Sequence, residues 1–323
     1  ISAVVQLAPR AFLEVLADEN EFDFDDQLYV PIAQQWTFPR NDFVFVDESQ
    51  DLNPIQHCML NRLADRGAVI TAVGDRRQAI YGFRGALSNS MDLLSQTFQM
   101  KELPLSVTYR CSEAVTKLAQ EIVPQIQPRL GAPLGQVTSL QDYPDISSYA
   151  DGDLIICRNN APIFALALQF LKARKPCRVM SNFLDELDKF MNSFKAKDTT
   201  TLRNRLEEWY RKTKKDCEDR GAWGKLEGIT DKYETLLSFL NEFATIPELA
   251  RAIRELSTSL RGPRISTIHK AKGLEAENCY LLRYDLLPSP RATTPEQITQ
   301  EENLRYVAIT RAKLNLFILP LGE

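Results

Sequence analysis

Two adjacent carboxylates, Asp47 and Glu48, stand at the end of the apolar run FVFV, residues 43–46. Four strand-forming residues that run straight into paired acids describe a parallel strand presenting carboxylates at its carboxyl edge, where such sheets bind ligands. One carboxylate can hold a hydrated Mg²⁺ while its neighbour orients or deprotonates an attacking water, which is the chemistry of nucleoside-triphosphate hydrolysis. Acids also close strands for solubility alone, and the pair by itself leaves that reading open. Farther on, Tyr81 and Phe83 alternate with small residues in YGFRG. That spacing suits platforms for unstacked bases, each stack worth about 1–3 kcal/mol, with core packing as the competing reading. Arg84 would then reach a nucleic-acid phosphate or brace the loop.

These residues need strands and helices to hold them. The stretch 11–30, AFLEVLADENEFDFDDQLYV, reads as an amphipathic helix covering a sheet face. From residue 40 to 103 the pattern is strand, helix over 55–65, a second buried strand in AVITAV at 68–73, a loop, then a helix over 89–98. A new unit starts at Pro104 with a strand and a helix entered through Ser112 as N-cap. DLIICRNN (153–160) reads as a buried strand, PIFALALQFLKARK as a helix and CRVM as a short strand. Between 181 and 262 the periodicity turns helical with dense charge. Its basic cluster, Arg203, Arg205, Arg211, Lys212, Lys214 and Lys215, is interleaved with Glu207, Glu208 and Asp216. That composition fits a solvated helix face, or a surface for DNA or a partner. Strands resume from Arg264.

At 323 residues the chain is long enough for two domains, and 44% hydrophobic with 25% charged residues is ordinary globular composition. No run of eighteen apolar residues offers a membrane span. Six scattered cysteines without a CxxC pair, and only two histidines, argue against a zinc site and for reduced thiols in a cytosolic setting. A net charge of −4 excludes a protein that coats nucleic acid by charge alone, so any DNA contact must be local and partly aromatic.

Five segments in order, DESQD (47–51), GDRRQAIYGFRGA (74–86), TYR (108–110), ISTIHKAKGLE (265–275) and EENLRYVAITRA (301–312), resemble motifs II to VI of superfamily 1 DNA helicases of the UvrD/Rep/PcrA type. The wording looks closest to the compact phage and prophage members. The resemblance implies an α/β fold of two RecA-like parallel-sheet domains. The first, 1–103, would be incomplete at its N-terminus. The second, 104–182 and 263–323, would be split by a helical insertion, 183–262, placed like the family's 2B subdomain. It also implies a set of roles. Asp47 holds Mg²⁺, Glu48 positions the water, Gln50 and Asp51 link neighbouring motifs (Asp51 alternatively capping the next helix), and Gln78 senses the γ-phosphate. Arg110 and Arg311 stabilise the transferred phosphoryl group, Tyr109 stacks on adenine, and Lys272, Gly273 and Glu275 lie toward the nucleotide. Tyr81, Phe83, Arg84, Thr267 and His269 lie toward DNA. Glu302 and Arg305 are expected to form ion pairs that position Arg311, and His57 to be a plain helix residue. Thr108 stands where relatives carry Asn.

The family's phosphate-binding loop, GxxxxGK[ST], does not occur in the sequence. With the first acidic motif already at position 47 and Ile at position 1, the chain reads as a motor fragment missing its N-terminal Walker A segment. The expected function is ATP- and Mg²⁺-dependent translocation on single-stranded DNA or a single-stranded tail, 3′→5′, with the nucleotide in the cleft between the two domains. The alternative is a DNA- or protein-binding remnant that cannot turn over ATP. Replication or repair proteins are the expected partners, no membrane is involved, and the location is cytoplasmic, at a bacterial nucleoid or in a phage host.

Overall fold

The computed structural model describes residues 24–82, 85–180 and 183–319, except the side chains of 223 and 224. The chain divides into two compact units, Ile1–Leu103 and Pro104–Glu323. The part of the expected first helix before residue 24 lies outside the described residues.

The described part of the first unit comprises α1 (Asp26–Ala33), β1 (Phe43–Val46), α2 (Pro54–Ala64), β2 (Val69–Ala72) and α3 (Ser90–Thr97). Asn53 opens α2 by accepting from Gln56 N while the Gln56 side chain accepts from Asn53 N, with Pro54 supplying the first helical residue. Asn53 therefore does the capping considered for Asp51, which instead closes a 3₁₀ turn, Ser49–Asp51. Strands β1 and β2 pair in parallel, from Phe43 opposite Val69 to Val46 opposite Ala72. The strands expected to be buried are open on one face: Phe43 and Phe45 are 65% and 77% exposed and Val69 56%. Successive side chains alternate across the sheet, so helical cover on one face, where α2 packs on β2, leaves every second residue outside.

The second unit continues with β3 (Val107–Thr108), α4 (Glu113–Ala119), β4 (Gln127–Pro128), β5 (Gln136–Ser139), β6 (Leu154–Cys157), α5 (Asn160–Lys172) and β7 (Arg178–Val179). Four helices follow, α6 (Phe183–Ser193), α7 (Thr199–Asp219), α8 (Trp223–Glu242) and α9 (Ile246–Thr258). The chain then returns through β8 (Arg264–Thr267), α10 (Ile268–Ala271), β9 (Ala276–Leu282), α11 (Pro295–Ile309) and β10 (Ala312–Ile318). Six strands form one sheet in the order β5-β10-β9-β6-β8-β7, and every neighbouring pair is parallel. Central β6 is buried at all four residues, as a parallel strand covered on both faces must be. Ser112 caps α4 as expected, its hydroxyl accepting from Val115 N.

The helices between β7 and β8 share the core of the sheet. Leu184, Leu202, Leu236, Phe239 and Leu249 join Phe164, Phe170 and Ile265 in one apolar cluster. Two arginines of the basic cluster on α7 reach the neighbouring helices. Arg203 donates to Leu240 O and Asn241 Oδ1, and Arg205 to Phe194 O and Lys195 O, completing carbonyls at the ends of α8 and α6. Lys212 and Lys214 pair with Glu208 and Glu218 one turn away. Among the described residues no helix is long and apolar enough to cross a membrane.

Candidate active site

In the first unit the acids follow β1 at its carboxyl edge. Asp47 Oδ1 accepts from Glu48 N at 2.8 Å, and Glu48 adopts a left-handed backbone, φ 49°. A non-glycine residue held there is strained and needs local support. Gln50, 2% exposed, supplies it: Nε2 donates to the Glu48 carboxylate and Oε1 accepts from Asp75 N at 2.9 Å. Asp75 in turn accepts from Arg77 N at 2.8 Å and from Gln78 Nε2 at 3.0 Å. Glu48, Gln50, Asp75 and Gln78 thus form one hydrogen-bonded chain between the loop after β1 and the loop after β2. Asp75 is the member that sequence reasoning missed, although an Asp two residues before a turn amide is a recognisable Asx signal.

The two loops meet closely enough to require a glycine. A Cβ on Gly74 would sit 2.5 Å from Gln50 Oε1 and 2.6 Å from Ser49 Oγ. Beneath them, Ser90 Oγ donates to Ser49 O at 2.7 Å and lies 2.9 Å from His57 Nε2. His57, expected to be a plain helix residue, is 7% exposed and ties α2 to α3 and to the acidic loop. Burial pushes its pKa below the ordinary 6.5. Tyr81 is half-buried. Phe83 and Arg84 lie outside the described residues.

The second unit gathers its charges at the amino ends of β9 and β10. Arg110 Nε donates to Glu275 Oε2 at 2.8 Å, and Lys313 Nζ lies 3.3 Å from Glu275 Oε1. Partial burial works against charge on Glu275, but the Lys313 and Arg110 hydrogen bonds outweigh it and hold the carboxyl below its usual range. Tyr109, next to Arg110, is 81% exposed. Arg311 is 1% exposed. Its Nε donates to Val307 O at 2.9 Å, Nη1 to Leu274 O at 2.9 Å and Nη2 to Thr310 Oγ1 at 3.2 Å. Burial first, and then the Arg110 charge, lower its pKa from the ordinary arginine value. Arg305 does not touch this group: it pairs with Glu121 at 3.0 Å and Glu302 at 3.7 Å and donates to Tyr284 Oη. Glu302 and Arg305 do form the expected ion pair, but it does not hold the Arg311 guanidinium directly. The carbonyls of Val307 and Leu274 do so, because a buried guanidinium must find acceptors close by.

Helix α10 carries the chain from one edge of the sheet to the other. Thr267 ends β8 at the carboxyl edge and half-buried His269 and Lys272 follow, whereas Glu275 lies just before β9 at the amino edge. Gly273 has φ +83°, a left-handed turn that lets the chain leave the helix. Also at the carboxyl edge opens a crevice of about 830 Å³, lined by Tyr143, Asn159, Asp231, Glu234, Arg283 and Arg291. No sequence motif announced it, because its walls come from four separate segments.

Comparison with known proteins shows the family. Residues 5–99 match the UvrD/REP helicase N-terminal domain, and residues 164–321 match the UvrD-like helicase C-terminal domain. The chain belongs to the UvrD/Rep helicase family. It is 32% identical over 141 residues to the ATP-dependent DNA helicase srs2 of Schizosaccharomyces pombe, covering 42% of this chain and 16% of that protein. It is 33% identical over 114 residues to the ATP-dependent DNA helicase Rep of Escherichia coli, covering 32% and 17%. The F-box DNA helicase protein 1 of Schizosaccharomyces pombe matches at 24% identity over 330 residues, covering 90% of this chain and 35% of that protein. The matched stretch is thus a minor part of each of these relatives.

Proposed function

We propose that this chain carries the motor of an ATP-dependent DNA helicase, coupling ATP hydrolysis to 3′→5′ movement on single-stranded DNA or a single-stranded tail. The observation that carries this reading is the chain Glu48–Gln50–Asp75–Gln78, because it joins a water-orienting carboxylate to an amide suited to sensing phosphate. Asp47 suits Mg²⁺: one of its oxygens is occupied by Glu48 N, and the exposed carboxylate remains a hard donor. Mg²⁺ commonly takes one or two carboxylates, waters and substrate phosphates, and when bound it neutralises charge on phosphate oxygens.

The remaining roles follow from the residues. Glu48 orients and deprotonates the attacking water, with Gln50 fixing its carboxylate. Arg110 and Arg311 supply positive charge to the transferred phosphoryl group, Tyr109 offers a face for adenine, and Lys272, Gly273 and Glu275 line the nucleotide side. Tyr81, Phe83, Arg84, Thr267 and His269 serve DNA. Replication or repair proteins are the partners this activity would meet.

The test is Glu48→Gln in the full-length protein. ATP turnover should fall at least ~10²-fold, the scale of losing a general base, with single-strand affinity unchanged. Turnover near the wild-type rate would remove Glu48 from the mechanism. A wild-type protein that binds single-stranded DNA without hydrolysing ATP would favour the non-catalytic binding reading instead.

A further inference from the structure

Arg158 follows β6 directly, and its side chain is 11% exposed. Its Nε and Nη2 donate to the two oxygens of Glu301 at 2.8 and 2.6 Å. On its other side Nη1 and Nη2 donate to the Glu227 carboxylate, and Nη1 also meets Asn159 Oδ1 at 2.9 Å. Glu227 belongs to α8 of the helical insertion, and Glu301 to α11, the helix that runs into Arg311. Glu301 accepts in addition from Ser289 N at 2.9 Å. One turn along α8, Asp231 accepts from Asn160 N and Ala161 N at 3.0 and 2.8 Å and so caps α5. Four residues apart, Glu227 and Asp231 share one helix face, and both hold the segment just beyond β6.

A buried ion cluster of this kind is weak support for stability, since apolar residues of similar volume often serve as well or better. What it specifies is arrangement. A forked guanidinium that grips two carboxylates on different helices fixes distance and orientation together. Arg311 needs such a fix, because its buried guanidinium is bonded to its own helix end and to Leu274 and follows wherever α11 goes.

We propose that Arg158 is a positioning residue through which helix α8 of the insertion sets the place of α11, and with it Arg311. The proposal rests on the hydrolytic role of Arg311 for its kinetic consequence, but the grip itself is independent of turnover. It makes the insertion a controller of the arginine site, and Glu227 the contact through which that control passes.

The test is Glu227→Gln in the full-length protein, beside Glu242→Gln as control. Glu242 lies on the same helix but pairs with Lys172 near its far end, away from Arg158. With saturating single-stranded DNA, Glu227→Gln should lower kcat for ATP by about 2- to 30-fold, the range for residues that couple without touching ligand, and leave KM unchanged. Amide exchange across 295–309 should quicken in the same variant, and Glu242→Gln should change neither. Arg158→Lys, which keeps the charge and loses the fork, should resemble Glu227→Gln. Unaltered kcat with unaltered exchange, or equal effects from Glu242→Gln, would overturn the proposal. Exchange needs no turnover, so if the wild type fails to hydrolyse ATP the grip is still tested while the hydrolytic reading alone fails.

Discussion

The acidic loop of the first unit and the arginine group of the second hold their charges by opposite means. Asp47 and Glu48 are exposed; Asp47 accepts from Glu48 N, and Glu48 is steadied by a neutral side chain, Gln50, with a backbone amide on its far side. Arg311 is buried and held by carbonyl oxygens, while Arg110 is held by a carboxylate that a lysine also claims. An amide fixes a carboxylate without cancelling its charge, which leaves that charge available to a cation or a water. An arginine keeps its charge in almost any setting, so it tolerates burial provided acceptors surround it. The difference leaves the acids in contact with solvent, and Arg311 in a drier place where each charge acts more strongly.

The sharpest way to break this comparison is to delete the two arginines separately in the full-length protein. Arg110→Ala and Arg311→Ala should both lower kcat for ATP by about 10³-fold or more, the worth of an arginine that neutralises a transferring phosphoryl group. Their thermal stabilities should differ. Loss of Arg311 empties a fully buried site and takes the donor from Leu274 O, at about 1–3 kcal/mol for the group left unpaired, while Val307 O and Thr310 Oγ1 keep the bond between them. Loss of Arg110 removes an ion pair whose partners are 36% and 42% exposed, a contact that contributes about 1 kcal/mol at most. Melting curves beside turnover decide it. Equal drops in Tm would mean the contrast between buried and exposed arginines has no energetic content.

Gln50→Leu attacks the other side. It keeps the volume, but leaves Asp75 N without the Gln50 acceptor and removes the Gln50 donor from the Glu48 carboxylate. A loss of about 1–3 kcal/mol in stability is expected from the stranded amide, with kcat reduced about 2- to 30-fold as Glu48 loosens. In a cycle with Gln78→Ala the two losses should fail to add by about 0.5–3 kcal/mol, as contacting residues of one network do. Strict additivity would show that the relay is geometry without coupling.

Much of this was legible in the residues. FVFVDE gave a strand with acids at its edge, Ser112 gave a helix start, and LIIC gave a buried strand, each because a local rule decides it. The illegible parts depend on residues far apart in the chain. Asp75 could be read as a turn residue but not as the partner of Gln50, twenty-five positions away. Glu227 and Asp231 lie in a densely charged helical stretch with no motif to single them out, and only the fold brings them to Arg158 and the start of α5. On α7 the composition suggested a charged helix face, but not that Arg203 and Arg205 would each reach a carbonyl near the end of a neighbouring helix.

His57 supplies the gentlest probe, because it supports the acidic loop without touching it. Ser90 Oγ has one proton and gives it to Ser49 O, so the contact with His57 must be donated by Nε2–H. The neutral tautomer meets that need, and burial holds the folded-state pKa below 6.5. The sign follows: the unfolded chain takes up the proton more readily, so the stability tied to neutral His57 is complete above pH 6.5 and declines as pH falls through that value toward the folded pKa. Wild-type Tm should therefore fall as pH drops below 6.5. A His57→Gln variant should start lower, having lost the Ser90 bond or strained it, and fall less steeply over the same window. Parallel curves for the two proteins would mean that His57 does not titrate with folding, and that the loop's support is indifferent to proton uptake.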